Sequence, residues 1–173
     1  MSTLEPIDIA RLVRAADGYL ELGMHEDAWA EVAVIPDEFR LSLDVVLIRM
    51  EILRTMHRWI EAAALGREAL AVHPECGALY LVTSYAVRRS SNVADAKAVL
   101  LSGECALQKE AMFFFNVACY ECQLENLESA KEWLLQAFAL DDKYRRIACE
   151  DPDVEALWPW LAENKGKRSQ SAS

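Results

Sequence analysis

The sequence predicts an all-α protein, a right-handed solenoid of about four stacked helical hairpins closed by C-terminal capping helices. Three observations carry this expectation. Four alanines, Ala28, Ala62, Ala96 and Ala130, recur at a constant step of 34 residues, and a fixed period of that length marks a stack of supersecondary units. Apolar residues follow the three-four spacing of one helix face, as in Leu12, Ala15, Ala16 and Tyr19. Only six glycines and five prolines punctuate 173 residues, which suits long helices better than many short strands.

The alanine column does not stand alone. Sixteen residues before each alanine lie Leu12, Val46, Tyr80 and Phe114, all large and apolar. Twelve before lie Ala16, Met50, Ser84 and Ala118, and seven after lie Ile35, Ala69, Gly103 and Ala137, mostly small. Small residues recurring on facing helices allow close approach, and large ones fill the space between. Ala62, Ala96 and Ala130 are therefore expected at buried helix–helix contacts.

The breaks fall where hairpins need them. Gly23 ends a first helix, Ser90-Ser91-Asn92 separates two others and Pro74 ends another. The predicted pairs are 7–22 with 25–35, 41–56 with 59–72, 76–90 with 92–103, and 110–124 with 126–140. Residues 143–163 read as a cap, since a solenoid must cover the apolar face of its last pair. There Tyr144, Ile147 and Ala148 make a short face. Asp151-Pro152 opens another helix carrying Val154, Leu157, Trp158 and Leu161. Pro159 is expected to kink or end that helix near Trp158. Residues 164–173 read as a disordered basic tail.

Composition limits the function classes. The hydrophobic fraction of 53% and charged fraction of 27% are those of a folded protein. A net charge of −10 disfavours nonspecific binding to nucleic acid or to an anionic membrane. No stretch approaches the roughly 18 apolar residues of a membrane span. Five cysteines and no secretory signal at the N-terminus predict reduced thiols in a cytoplasmic setting.

The last unit quotes a recognisable pattern, from Phe114-Phe115-Asn116-Val117-Ala118 through Ala130 to Ala137 and Asp142, and the second unit repeats it through Trp59, Ala62, Ala69 and Pro74. The chain resembles the tetratricopeptide repeat (TPR) family over residues 7–142. The resemblance implies one superhelical domain over residues 1–163, with repeats at about 7–36, 41–74, 76–108 and 110–142. It also implies a non-enzymatic scaffold that binds a protein or peptide in the concave groove lined by the first helices. The runner-up is a structural or self-associating subunit, a homo-oligomer or fixed complex in which the groove or a solenoid end is buried.

No catalytic residue, metal site or cofactor is predicted. Cys119 and Cys122 have C-x-x-C spacing, but they lie inside a predicted helix with no second pair to complete a zinc site. His25, His57 and His73 stand near turns, and no carboxylate or cysteine cluster completes a metal set around them. There is no nucleophile elbow and no phosphate-binding glycine loop.

The candidate binding residues come from the period. Val13, Leu47, Leu81 and Phe115 each follow a buried column residue by one position, so they point about 100° away from it. In proteins resembling the family that direction faces the groove; the competing reading is burial by neighbouring helices. Arg54 and Arg88 are also 34 residues apart, with Arg89 beside the second and Tyr85 one turn before it. Such arginines could receive a carboxylate, or they could simply pair with local acids such as Glu51. The expected ligand is apolar with an acidic element. The family's carboxylate clamp is not reproduced, because Asp17 and Glu51 occupy inner-face positions.

Overall fold

The computed structural model describes residues 8–164. Among them are eleven α-helices, two short 3-10 segments and no strand. The chain is an all-α succession of helical hairpins and divides into two compact units, the first running to Asn92 and the second starting at Val93. Of the expected tail at 164–173, Asn164 is described and 165–173 lie outside the described residues.

In the first unit, α1 (Ile9–Glu21) pairs with α2 (His25–Ala33), and α3 (Leu43–Thr55) with α4 (Trp59–Val72); α5 (Gly77–Ser90) packs on α4. Asp8 caps α1, its Oδ1 accepting the Arg11 amide at 3.0 Å. Pro36 stops α2 from continuing and is followed by a 3-10 turn at Asp37–Phe39. Leu12, Ala16, Ala28, Val32, Ile35, Val45, Ile48 and Ile52 form one core, with Ile9, Val13, Tyr19 and Trp29 half-buried against it. Arg49 ties α3 to α2 by donating from Nη2 to the Val32 carbonyl at 2.8 Å, which supplies a partner near the end of α2.

The second unit holds α6 (Val93–Ser102), a one-turn α7 (Glu104–Leu107), α8 (Ala111–Gln123) and α9 (Leu127–Leu140). After these come α10 (Lys143–Ala148), a 3-10 segment (Pro152–Leu157) and α11 (Trp158–Glu163). Its core is aromatic: the Phe113 ring meets Phe114 edge-on at 5.0 Å and Trp133 at 6.0 Å between centroids. The buried Glu121 accepts hydrogen bonds from Lys97, Asn126 and Ser129. Burial pushes its carboxyl up, but the bonds from Asn126, Lys97 and Ser129 outweigh that and hold it below the usual range.

The period is physically real at each predicted column. Ala28, Ala62, Ala96 and Ala130 are all at most 1% exposed. Leu12, Val46, Tyr80 and Phe114 are buried too, as are Ala16, Met50, Ser84 and Ala118.

The turns carry a second 34-residue register that the residue types concealed. Gly23, His57 and Glu125 all adopt positive φ, at 73°, 56° and 63°. The next amide in each case reaches back five residues, Met24 to the Tyr19 carbonyl, Arg58 to Leu53 and Asn126 to Glu121, at 2.8–2.9 Å. This is a Schellman turn in which glycine is the relaxed residue. The third position in the register, Ser91, departs with φ −135°. A side chain at positive φ costs about 1–2 kcal/mol, partly offset by the greater backbone freedom glycine loses on folding. Glu125→Gly is therefore expected to stabilise the protein by about 0.5–1 kcal/mol, read as a rise of a few degrees in Tm.

The cap differs from expectation in one place. Asp151 does cap the segment after it, Oδ1 accepting the Asp153 amide at 2.8 Å. Pro159, however, begins a helix instead of ending one: the chain runs as 3-10 to Leu157, and α11 starts at Trp158 with the proline in its first turn. The reason is that a first-turn residue needs no amide hydrogen, so proline fits there. Val154, Leu157 and Leu161 are buried, and Trp158 Nε1 donates to the Ala148 carbonyl at 3.0 Å.

Candidate functional site

The predicted binding residues up to Arg89 all fall in the first unit. Val13, Leu47 and Leu81 are half-buried. Val13 packs against the core around Leu12. Phe115, in the second unit, is only 5% exposed, and its ring sits 5.1 Å from that of Tyr144 on α10. The place the spacing reserved for a ligand at Phe115 is thus filled by the chain's own cap. The stripe is not four open apolar side chains.

The charged end of the site is better formed. Arg54 lies in the last turn of α3 and donates from Nε and Nη2 to the two Glu51 oxygens, at 2.8 and 2.5 Å. The hydrogen bond holds Glu51 below the usual carboxylate range against its burial, and raises Arg54. Both groups are about half exposed, so the pair adds little stability. Its effect is to fix the guanidinium in place. Tyr85, on α5, also raises the Arg54 pKa electrostatically.

From Tyr85 the cluster passes to a residue the spacing assigned only to packing. Tyr85 is 41% exposed and meets the Trp59 ring edge-on at 5.6 Å. The Arg89 guanidinium carbon lies 5.3 Å from the centre of the same indole, and the His57 ring is 5.5 Å away. Arg88 is half-buried and engaged by neighbours. Arg89 is exposed and makes no ion pair among the described residues. Next to it Ile60 is 76% exposed, although isoleucine is ordinarily among the most buried types.

His57, Trp59, Ile60, Arg89 and the Arg58–Glu61 ion pair line a depression of about 340 Å³. The depression lies between the left-handed turn at His57, which leads into α4, and the end of α5. The sequence signal that could have found it is a tryptophan opening α4 followed 29 and 30 residues later by two arginines closing α5. A similar motif occurs one hairpin earlier, where the Arg58 guanidinium lies 4.6 Å from the centre of Trp29.

Chemically the arrangement offers cations, flat aromatic faces, the His57 imidazole and one exposed aliphatic side chain. His73 is used structurally, its Nε2 at 2.7 Å from the Leu41 carbonyl. Cys119 and Cys122 are buried in α8 as free thiols, and burial pushes the Cys122 thiol up, away from a reactive thiolate. Cys119, Asp151 and Asp153 bring three donor atoms within 4.8 Å of one another, the described residues nearest to a metal-ligand set. Asp151 is engaged there as the cap described above.

No family model matches the chain, and no curated protein matches it. Among solved structures, the one described as "MamA RS-1 ArsTM double mutant" is similar, with a TM-score of 0.72 and 11% identity over 81% of this chain and 79% of that one. MamA is a TPR-containing protein, and at this identity the likeness concerns the fold alone: the chain has a TPR-like helical-repeat fold.

Proposed function

We propose that this protein is a non-enzymatic scaffold of the TPR type, one domain over residues 1–163 with four repeats and a cap. In this reading it binds a protein or peptide ligand that is apolar with an acidic element. The observation that carries the reading is the Arg54–Tyr85–Trp59–Arg89 cluster beside the exposed Ile60. Aromatic and arginine side chains held rigid at a surface are what binding hot spots are made of, and a TPR-like fold suits protein partners. Leu81 of α5 and Leu47 of α3, both half-buried, and Arg88 in the last turn of α5 belong to the proposed surface. Five free thiols and the absence of a described helix long and apolar enough to cross a membrane fit a cytoplasmic location.

The test is a quantitative pull-down with the full chain, followed by calorimetry on the partner recovered. Arg54→Glu with Arg88→Glu should weaken that partner's binding at least about tenfold, as expected for the loss of charge-assisted hydrogen bonds. Ile60→Asp and Arg89→Glu should each do the same with helicity unchanged. Equal recovery by all variants would sink the reading. A chain that sediments as a stable dimer which Ile60→Asp splits would favour the self-associating subunit instead.

A further inference from the structure

The second unit holds a donor cluster that the proposed function does not use. Cys119 of α8 meets Asp151 and Asp153 at the start of the last 3-10 segment, and one ligand atom from each lies within 4.8 Å of the other two. These residues are far apart in sequence and converge because the 3-10 segment packs on α8. Cys119 is 2% exposed and both aspartates are half-buried, so the cluster sits within the unit and apart from the solvated acids of its surface. Cys122 stands one turn along the same side of α8 and is buried as well. A second sulfur therefore borders the cluster, which gives the C-x-x-C spacing a physical setting.

The donor types select the ion. Calcium and magnesium take oxygen ligands, whereas zinc accepts cysteine sulfur and aspartate oxygen in one tetrahedral shell. Zinc bonds of about 2.0–2.3 Å put neighbouring donors roughly 3.4–3.6 Å apart, a spacing that small side-chain rotations reach from the one seen here. Asp151 does not have to give up its capping role. Its Oδ1 accepts the Asp153 amide at 2.8 Å, and a carboxylate has a second oxygen to offer a metal. A hydrogen bond on the first oxygen orients the second, as outer partners do for metal ligands. Two carboxylates brought this close repel each other, and a divalent cation between them turns that repulsion into attraction.

We propose that Cys119, Asp151 and Asp153 form a zinc site that staples the cap to α8. As the bond from Cys119 Sγ to zinc forms, the thiol proton leaves to solvent. The ion binds the folded unit and so stabilises it. The site is independent of the Trp59 cluster in the first unit.

The test takes the reduced full chain, dialysed against chelator, and titrates it with cobalt(II) as a spectroscopic stand-in and then with zinc. The expected result is 1:1 binding of cobalt with a thiolate-to-cobalt charge-transfer band in the near ultraviolet, which zinc abolishes by displacement. Zinc should raise Tm, and chelator should reverse the rise. Cys119→Ser should remove the band. Asp151→Asn and Asp153→Asn should each weaken zinc at least about tenfold. Asparagine caps a helix about as well as aspartate, so Asp151→Asn should leave the metal-free Tm unchanged, which separates ligation from capping. Cys105→Ser, at an exposed position, should alter neither band nor affinity. Zinc affinity should fall as pH is lowered, because protons compete for the thiolate. No band, a band that survives Cys119→Ser, or an affinity indifferent to both asparagine variants overturns the proposal and leaves an adventitious ion only. Equal stabilisation by calcium overturns it too, since the thiolate would then play no part.

Discussion

Gly66→Ala is expected to be among the most damaging single substitutions in the first unit, although it adds one methyl group to a helix. On propensity alone the change should help, since alanine is favoured over glycine in a helix interior by about 1 kcal/mol. The structure reverses the sign. A Cβ at Gly66 would lie 2.2 Å from Thr83 Oγ1, 2.8 Å from its Cγ2 and 2.9 Å from its Cβ. The first two atoms could in principle rotate away, but the third is fixed to the backbone of α5, so α4 and α5 themselves must separate. Overpacking of this kind costs about 1–3 kcal/mol and occasionally more. Taken at the upper end, for a unit of this size, it corresponds to a fall in Tm of more than about 10 °C.

The partner of the clash supplies the control. Thr83 is fully buried, and its Oγ1 has no hydrogen-bond partner among the described residues. Removing that hydroxyl in Thr83→Ala therefore breaks no hydrogen bond, and the cost is limited to a lost methyl group. The Gly66→Ala, Thr83→Ala double variant should recover much of the stability that Gly66→Ala loses. Additive losses would mean that α4 and α5 do not meet at these two residues.

Gly66 also shows what a repeat pattern conceals. The 34-residue columns marked which positions are small because every hairpin needs them small, and Ala62, Ala96 and Ala130 were legible for that reason. Gly66 answers to one neighbour, Thr83, in one hairpin, so no column announces it. The turns divide in the same way. Gly23 was readable because glycine declares a left-handed residue. His57 and Glu125 occupy equivalent positions without that signature, and tertiary context holds them there. In the candidate site Arg54 and Arg88 share the period, which is why the sequence singles them out. Trp59 could not be singled out, because its column also holds His25, Val93 and Leu127 and looks like packing. Phe115 fails for the opposite reason. It follows the groove-facing register, but Tyr144 of the cap, which lies outside the period, covers it.

A chain ending at Glu150 is expected to lose the cooperative fold of the second unit and to aggregate. The segment removed contributes Val154, Leu157 and Leu161, at 0%, 1% and 6% exposure. Burying each such side chain is worth about 1.5–3 kcal/mol, so the three together approach the roughly 5–15 kcal/mol that holds a whole domain folded. The loss is not confined to the cap. The 3-10 segment packs directly on α8 and α9, and the backbone of Ala156 partly offsets the rise that burial gives the Cys122 thiol of α8. Truncation would uncover the face of α8 that carries Cys122 and leave the Ala148 carbonyl without its Trp158 partner. Leu157→Asp tests the same contact without shortening the chain. It should lower Tm by a comparable amount, because a carboxylate at a fully buried apolar site must either be desolvated or force the segment off. The measurement is thermal unfolding by circular dichroism with light scattering in parallel. A truncated chain that stays monomeric with an unchanged Tm would show that Leu157 and Leu161 do not support the hairpin, and would move them to the surfaces available for binding.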